Sequence, residues 1–229
     1  MGISAETRLV ALLGHPVAHS LSPRMQNAAF AARGLDCAYV ALDVPSELLA
    51  DSVRGLAASG FVGANVTAPH KLAAAKLCDE ADAESVNTLV FRDGRIHGTS
   101  TDAAVLDGLT FDRPFIVGDG GAARAFSVAL PNAKVFSRRG DWPPDVAGAD
   151  LVVHATPVRD EALFELREGQ TLVELPYPET ATARAAREGG ATVIDGLEVL
   201  VRQGAASFER WTGVSAPLDV MRNAVRSAP

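Results

Sequence analysis

The sequence predicts an α/β protein: a largely parallel sheet with flanking helices in the first half, then a second, smaller α/β unit. Three observations carry this. Up to Val66, short apolar runs alternate with helical patterns in the order β-α-β-α-β, the unit that builds parallel sheets. Further on, a glycine-rich loop follows another apolar run and opens a helix. Strand-length apolar runs then recur with a helix among them up to Ile194. A chain of 229 residues, 48% apolar, suits one large domain or two small ones with a real core.

In chain order, Arg8 to Gly14 reads as a buried strand ending in the turn Gly14-His15-Pro16. Ser22-Pro23 is a helix start, a hydroxyl N-cap with proline in the first turn, and that helix stops at Gly34. Cys37 to Asp43 is the second strand. A helix from about Ser46 to Ser59 places Leu48, Leu49, Val53, Leu56 and Ala57 at helical spacing. Phe61 to Val66 is the third strand, and Pro69 suits the first turn of a short helix over Leu72 to Leu77. Val86 to Arg92 and Arg95 to Thr99 flank Asp93-Gly94, a hairpin signal. Thr101-Asp102 starts a helix through Val105 and Leu109.

Composition bounds the partners. A net charge of −7 and an isoelectric point near 5.2 argue against nucleic acid or an anionic membrane. Cys37 and Cys78 have no metal-ligand spacing and read as reduced, buried thiols in a cytoplasmic setting, with no metal site expected. No apolar run approaches the roughly 18 residues that span a bilayer, and no signal peptide is visible.

Polar residues gather where the strands of the first half end, which is where α/β proteins place ligands. Ser20 and Ser22 lie beside a helix N-terminus, a place for a carboxylate or phosphate. On the other reading, Ser22 only caps its helix. Asn65, Thr67 and Lys71 follow the third strand, and Asn87 and Asp102 follow in turn. Asp102 has its own plain reading as an N-cap. The chain has three lysines, Lys71, Lys76 and Lys134, among 21 basic residues, the rest being arginine. Keeping a lysine at Lys71 fits a need for an amine that can release its proton, which arginine cannot do; on the plain reading it is a surface lysine after a strand.

The second half opens on the strand Pro114 to Val117. Gly118-Asp119-Gly120-Gly121-Ala122-Ala123 follows, matching G-x-G-x-x-A ahead of a helix over Ala123 to Leu130. This is a dinucleotide-binding pattern: Gly118 allows the turn, Gly120 lets a pyrophosphate approach, and Ala123 lets helix and strand pack. The next strand, Ala133 to Phe136, ends in Ser137-Arg138-Arg139. Basic residues there, rather than an acid, favour NADP over NAD; on the plain reading they are a solvated basic turn. Leu151 to Ala155, Thr171 to Leu175 and Ala191 to Ile194 are further strands, with a helix over Thr180 to Glu188. Leu197 to Trp211 and Leu218 to Val225 are the last helices.

HPVAHSLSPRMQNAAF, GANVTAPHK, SVNTLV and STDA, with GDGGAARA, SRR, LPYPETAT and DGLEVLVRQGAASFERWTG after them, resemble the shikimate dehydrogenase family from about residue 9 to 225. The resemblance implies an N-terminal α/β domain for a cyclohexene carboxylate, over 1–104 plus 196–229, and a compact Rossmann-like NADP domain over 105–195. It implies reversible reduction of 3-dehydroshikimate to shikimate, within aromatic amino acid (chorismate) biosynthesis. Lys71 and Asp102 match the catalytic pair. Ser20, Ser22, Thr67 and Tyr177 match the residues that hold the substrate carboxylate. Asn65, Asn87, Asp102 and Gln203 match those that hold the ring hydroxyls. Gly118, Gly120, Gly121, Ala122, Ala123, Ser137, Arg138 and Arg139 fall on the cofactor side. A monomer or homodimer is expected.

The departures from the family pattern cluster on that cofactor side. Gly140 to Asp145 stands where a helix is usual, and its two prolines oppose one. Asp119 puts a carboxylate inside the glycine loop. Ser100 and Ala103 replace Asn and Gly around Thr101-Asp102, and Ala155-Thr156-Pro157 replaces Ala-Thr-Ser. The pattern leaves open a quinate- or aminoshikimate-type dehydrogenase, or a non-catalytic shikimate-binding homologue with impaired cofactor binding.

Overall fold

In the computed structural model, which describes residues 3–227, the first sheet is built outward from β1 (Arg8–Gly14). Val10, Ala11, Leu12 and Leu13 are all buried, the continuous apolar run that a strand covered on both faces requires. β1 runs parallel to β2 (Cys37–Asp43) on one side and β3 (Gly63–Val66) on the other. Between them lie α1 (Ser22–Ala32) and α2 (Leu49–Ala58), the latter entered through a 3₁₀ turn over Ser46–Leu48. Gly34, at φ +64°, supplies the left-handed residue that ends α1. α2 turns Leu49, Val53 and Leu56 into a core shared with Ala11, Leu13 and Val66.

β3 is followed by α3 (Lys71–Ala75), which begins one residue before the expected helix and is shorter. Pro69 therefore precedes the helix instead of lying in its first turn. A two-residue strand, β4 (Glu80–Ala81), was not foreseen. β5 (Thr88–Arg92) pairs antiparallel with β3 and turns back into β6 (Arg95–Thr99). Asp93 and Gly94 have φ of 54° and 73°, the double positive φ that a type I′ hairpin turn requires. The sheet order is β2-β1-β3-β5-β6-β4, so the parallel core carries an antiparallel hairpin.

The chain divides into two compact units, one running to Thr101 and resuming at Val201, the other Asp102–Leu200. The second opens with a 3₁₀ turn over Asp102–Leu106, not the longer helix expected there. Its strands are β7 (Pro114–Val117), β8 (Lys134–Phe136), β9 (Leu151–His154), β10 (Thr171–Glu174) and β11 (Thr192–Ile194). They are all parallel, in the order β11-β10-β9-β7-β8. α4 (Gly121–Ala129) joins β7 to β8, and α5 (Ala181–Glu188) joins β10 to β11, capped by the Thr180 hydroxyl accepting from the Ala183 amide.

Period-two alternation sorts this sheet's side chains onto two faces. Ile116, Leu151, Val153 and Val173 meet Ala123 and Phe126 of α4. Val117, Val152 and Leu172 face the other way, towards Ala183 and Ala186 of α5. On that second face no helix joins β8 to β9. The irregular segment 137–150 crosses there instead, and Val146 and Ala149, with Phe164 and Leu166 from after β9, fill the core. The helix missing from the sequence pattern is missing from the fold, and irregular chain replaces its side chains.

α6 (Gly196–Thr212) begins in the second unit and ends in the first. Phe208 stacks on Phe30 with ring centroids 5.4 Å apart, and the Trp211 indole donates to the Leu89 carbonyl at 2.9 Å. Gly63 leaves room for that indole, since a Cβ there would collide with it. α7 (Leu218–Arg226) closes the described chain. Cys37 and Cys78 are free and only half-buried, not buried as expected. Burial nevertheless pushes the Cys78 thiol up to about 11, with Asp79 and Asp82 adding to the effect.

Candidate active site

At the carboxyl edge of the first sheet, β1 ends in Gly14 and β3 runs into Thr67. The Thr67 methyl occupies the space a Cβ on Gly14 would need, so only glycine lets the two strand ends approach this closely. The Thr67 amide donates to the Leu13 carbonyl at 2.9 Å. From β1 the chain passes Ser20, whose hydroxyl accepts from the Ser22 amide at 3.2 Å. Ser22 is the first residue of α1, not its N-cap; the N-cap is Leu21, whose side chain makes no capping bond, and the Ser20 hydroxyl takes the Ser22 amide instead. The expectation that the Ser22 hydroxyl caps the helix is therefore corrected. A helix N-terminus with no acid in its first turn, flanked by the Ser20 and Ser22 hydroxyls, favours an anion at this edge.

Beside it lies a buried polar network in which hydrogen-bond directions are fixed by counting donors and acceptors. Asn65 is 5% exposed. Its carbonyl accepts from the Tyr39 hydroxyl at 2.8 Å, and its amide donates to the Asn87 carbonyl at 2.9 Å and the Ser207 hydroxyl at 3.0 Å. The Asn87 side-chain oxygen accepts from the Thr101 amide at 2.8 Å and from the hydroxyls of Thr88 and Thr101 at 3.0 and 3.1 Å. With its oxygen so engaged, the Asn87 amide nitrogen points the other way and donates to the Gln203 oxygen at 3.1 Å. Gln203 thus has its nitrogen as the outer group. Ser207 ties α6 in through the Thr88 hydroxyl at 2.8 Å.

Lys71 is the first residue of α3 and is half-buried, and the preceding His70 is fully buried with Nε2 donating to the Val44 carbonyl at 2.7 Å. That bond anchors the start of α3, and with it Lys71. Asp102, 7% exposed, is the first residue of the second unit and directly follows Thr101, whose amide Asn87 holds. Tyr177 follows β10 in that same unit. The network therefore joins Asn65, Asn87 and Gln203, while Ser20, Ser22, Thr67 and Lys71 line the same strand edge.

In the second unit the sheet reverses direction of growth between β7 and β9, the switch point where open α/β sheets bind ligands. Gly118 sits there at φ +135°, with the Ala155 carbonyl 2.7 Å from where a Cβ would stand, so a side chain is excluded twice over. Gly120 is the N-cap of α4, and a Cβ on it would meet nothing. Gly121, Ala122 and Ala123 keep the first turn of α4 small and free of acids. Asp119 does not stand unopposed in the loop: its carboxylate lies 3.7 Å from the exposed Arg139 guanidinium. Arg138 lies 5.5 Å over the Trp142 ring and 3.9 Å from Glu161, and Ser137 opens the turn after β8. Open backbone at a helix N-terminus, with two arginines after the next strand, fits a phosphorylated dinucleotide.

Several polar residues escaped the sequence reading. Thr88, Ser207 and Tyr39 gave no signal because hydroxyls inside apolar patterns look like ordinary core positions. His154 and Glu174 were overlooked as the final residues of two apolar strands, although both are buried and pair side by side in register. A polar residue closing each of two neighbouring strands was the signal available.

A mixed α/β unit with an anion-ready edge and a parallel-sheet unit with a dinucleotide crevice together define an oxidoreductase of the two-unit dehydrogenase class. Residues 12–89 match the family model described as the shikimate dehydrogenase substrate binding domain, and residues 196–226 match that of the shikimate 5'-dehydrogenase C-terminal domain. A shikimate dehydrogenase (NADP(+)) of Methanopyrus kandleri is 39% identical over 281 aligned positions, covering 98% of this chain and 97% of that protein. Because this chain has only 229 residues, that alignment places its shortness in internal gaps. A crystal structure of shikimate dehydrogenase in complex with NADP+ superposes with a TM-score of 0.90 at 34% identity, covering 98% of this chain and 96% of the other. The shikimate 5-dehydrogenase of Thermus thermophilus in complex with NADP(H) and shikimate gives 0.85 at 32%, covering 96% and 98%. The chain belongs to the shikimate dehydrogenase family.

Proposed function

We propose that the protein is an NADP-dependent shikimate dehydrogenase, reversibly reducing 3-dehydroshikimate to shikimate, a step of chorismate and aromatic amino acid biosynthesis. The observation that carries this is the grouping, on one strand edge, of an acid-free helix N-terminus with two serines, an amide pair of fixed polarity and a lysine. These suit the three chemical features of the substrate: a carboxylate, ring hydroxyls and a carbinol that loses a proton.

In this reading Ser20, Ser22 and Thr67, beside the N-terminus of α1, hold the substrate carboxylate, a role the family resemblance extends to Tyr177. Asn87 and Gln203 present N–H groups to ring oxygens. Asn65, with both ends of its amide engaged inside the protein, acts through Asn87 and Thr88. Lys71 Nζ takes the hydroxyl proton during oxidation and gives it to the ketone oxygen during reduction. Asp102 is the acid that the family resemblance pairs with Lys71 and with a ring hydroxyl. The dinucleotide supplies the hydride acceptor or donor. Gly118, Gly120, Gly121, Ala122 and Ala123 would hold its diphosphate at the N-terminus of α4. Ser137, Arg138 and Arg139 would hold the 2′-phosphate, since the arginines' surface pairings with Glu161 and Asp119 are worth little on their own.

The test is nicotinamide absorbance over time with NADP⁺ and shikimate, run beside NAD⁺ and quinate. NADPH formation with shikimate, faster than in the other pairings, is the expected result. Faster turnover of quinate moves the substrate assignment, and no turnover with any pairing rejects the enzymatic reading.

A further inference from the structure

Arg138 and Trp142 meet just after β8, at the margin of the second sheet. The Gly140 amide donates to the Ser137 carbonyl at 3.0 Å, closing a turn with Arg138 and Arg139 at its corners. Past that turn the chain folds Trp142 back onto the core cluster to which Phe136, Val146 and Val152 belong. The guanidinium carbon of Arg138 lies 5.5 Å from the centroid of the Trp142 ring, within reach of a cation–π contact. A ring held by apolar packing cannot follow the arginine into solvent. The contact therefore holds the arginine to the ring, not the ring to the arginine.

The surroundings decide how much this matters. Segment 137–150 contains no helix, so no regular backbone lies under the two arginines. Arg139 is exposed, with the Asp119 carboxylate 3.7 Å away. Arg138 is exposed too, and its acidic neighbour, the equally exposed Glu161, is 3.9 Å away, beyond hydrogen-bond distance. An exposed ion pair of that kind fixes a long side chain poorly. The planar guanidinium stacks well on an aromatic face, and here the face is anchored. An arginine that clasps a phosphate must give up rotamer freedom. One already laid on an indole has given up part of it in advance.

We propose that Trp142 is a positioning residue for cofactor choice: it holds Arg138 on its face, pre-forms the site for the 2′-phosphate, and so strengthens the preference for NADP over NAD. The proposal rests on the reading above, in which Arg138 holds that phosphate. Trp142 acts through Arg138 and not on the cofactor itself. Its effect is therefore confined to the one group that NADP⁺ has and NAD⁺ lacks.

Calorimetric titration with NADP⁺ and with NAD⁺ is run on the wild type, Trp142→Leu, Trp142→Phe, Arg138→Ala and the Arg138→Ala/Trp142→Leu double variant. Trp142→Leu is expected to weaken NADP⁺ binding about fivefold, the scale of ordering one long side chain on binding, and to leave NAD⁺ binding within about twofold. Trp142→Phe, which keeps an aromatic face, stays within about twofold of the wild type for both. With Arg138 already removed, Trp142→Leu changes NADP⁺ affinity by less than about twofold, since the partner it acts through is gone. Equal losses for the two cofactors mark a merely structural role and overturn the proposal. So does an unchanged NADP⁺ affinity in Trp142→Leu, or a full loss that persists in the double variant. Failure of the underlying reading looks different. A wild type that binds NADP⁺ no more tightly than NAD⁺, or an Arg138→Ala variant that binds NADP⁺ as the wild type does, overturns the 2′-phosphate assignment and this inference with it.

Discussion

The two sheets hold their ligand edges in different ways. In the first, the edge is built of side chains: Asn65, Asn87, Thr88, Thr101, Gln203 and Ser207 form one network drawn from β3, β5, the segment after β6, and α6. In the second, the edge is mostly backbone: a glycine loop, the N-terminus of α4 and small residues behind them. A network of side chains needs every contributing element in place, because one lost partner leaves the others buried and unsatisfied. A backbone cradle needs only the strand, the turn and the helix that form it. The second sheet has no helix between β8 and β9 and fills its core there with irregular chain, while in the first α1 and α2 join the parallel strands.

Four measurements would break or sharpen that contrast. Lys71→Ala should lower turnover about a thousandfold or more, the scale of a lost general acid–base group, with circular dichroism unchanged. Lys71→Arg should not restore it, because arginine keeps its proton. Turnover surviving in either variant would remove Lys71 from the chemistry. Asn65→Leu should cost about 2–4 kcal/mol in denaturant unfolding, since the Tyr39, Thr88 and Ser207 hydroxyls lose their common partner; a cost below about 0.5 kcal/mol would mean the network carries little.

Gly118→Ala, tried against the backbone cradle, should cost about 2 kcal/mol through positive φ and the Ala155 carbonyl, and weaken NADP⁺ binding more than shikimate binding. Equal weakening of both would show the damage to be general. The smallest effect is at Cys78. Its thiol is held up to about 11 from 9.0 by burial, so its thiolate fraction near pH 8 is about a hundredfold below that of an unshifted thiol. Labelling should be correspondingly slow. Sign follows the same shift: the folded state prefers the protonated thiol, so this contribution to stability is complete below pH 9 and lost as pH rises towards 11. Labelling at the rate of the unfolded chain would contradict the shift.

The sequence revealed the elements whose signals are local. β1 declared itself as an unbroken apolar run, the hairpin by Asp93-Gly94, α2 by its spacing, and the missing helix by Pro143 and Pro144. What stayed hidden depends on geometry between elements. The capping of α1 could not be read, because Ser22 and Leu21 differ by one position and only the bonds decide. The 3₁₀ turn at Asp102 was read as a longer helix because Val105 and Leu109 keep helical spacing. β4 is two exposed residues, below what any pattern detects. Asn65 was legible as a polar group near the ligand edge, but the full use of its amide within the protein was not. His154 and Glu174 acquire meaning only once β9 and β10 are set in register.

The position of the switch point has a practical side. The crevice lies between β7 and β9, in the interior of the sheet order, while β8 is three residues at the margin. The 137–150 crossing is only partly free of that frame: Val146 and Ala149 fill the core behind the sheet, and Arg139 pairs with Asp119 of the glycine loop. Insertions are therefore best borne at its exposed points, Gly140–Asp141 and Ala147–Gly148, away from the strands that frame the crevice, and the second of these also leaves Arg138 on Trp142.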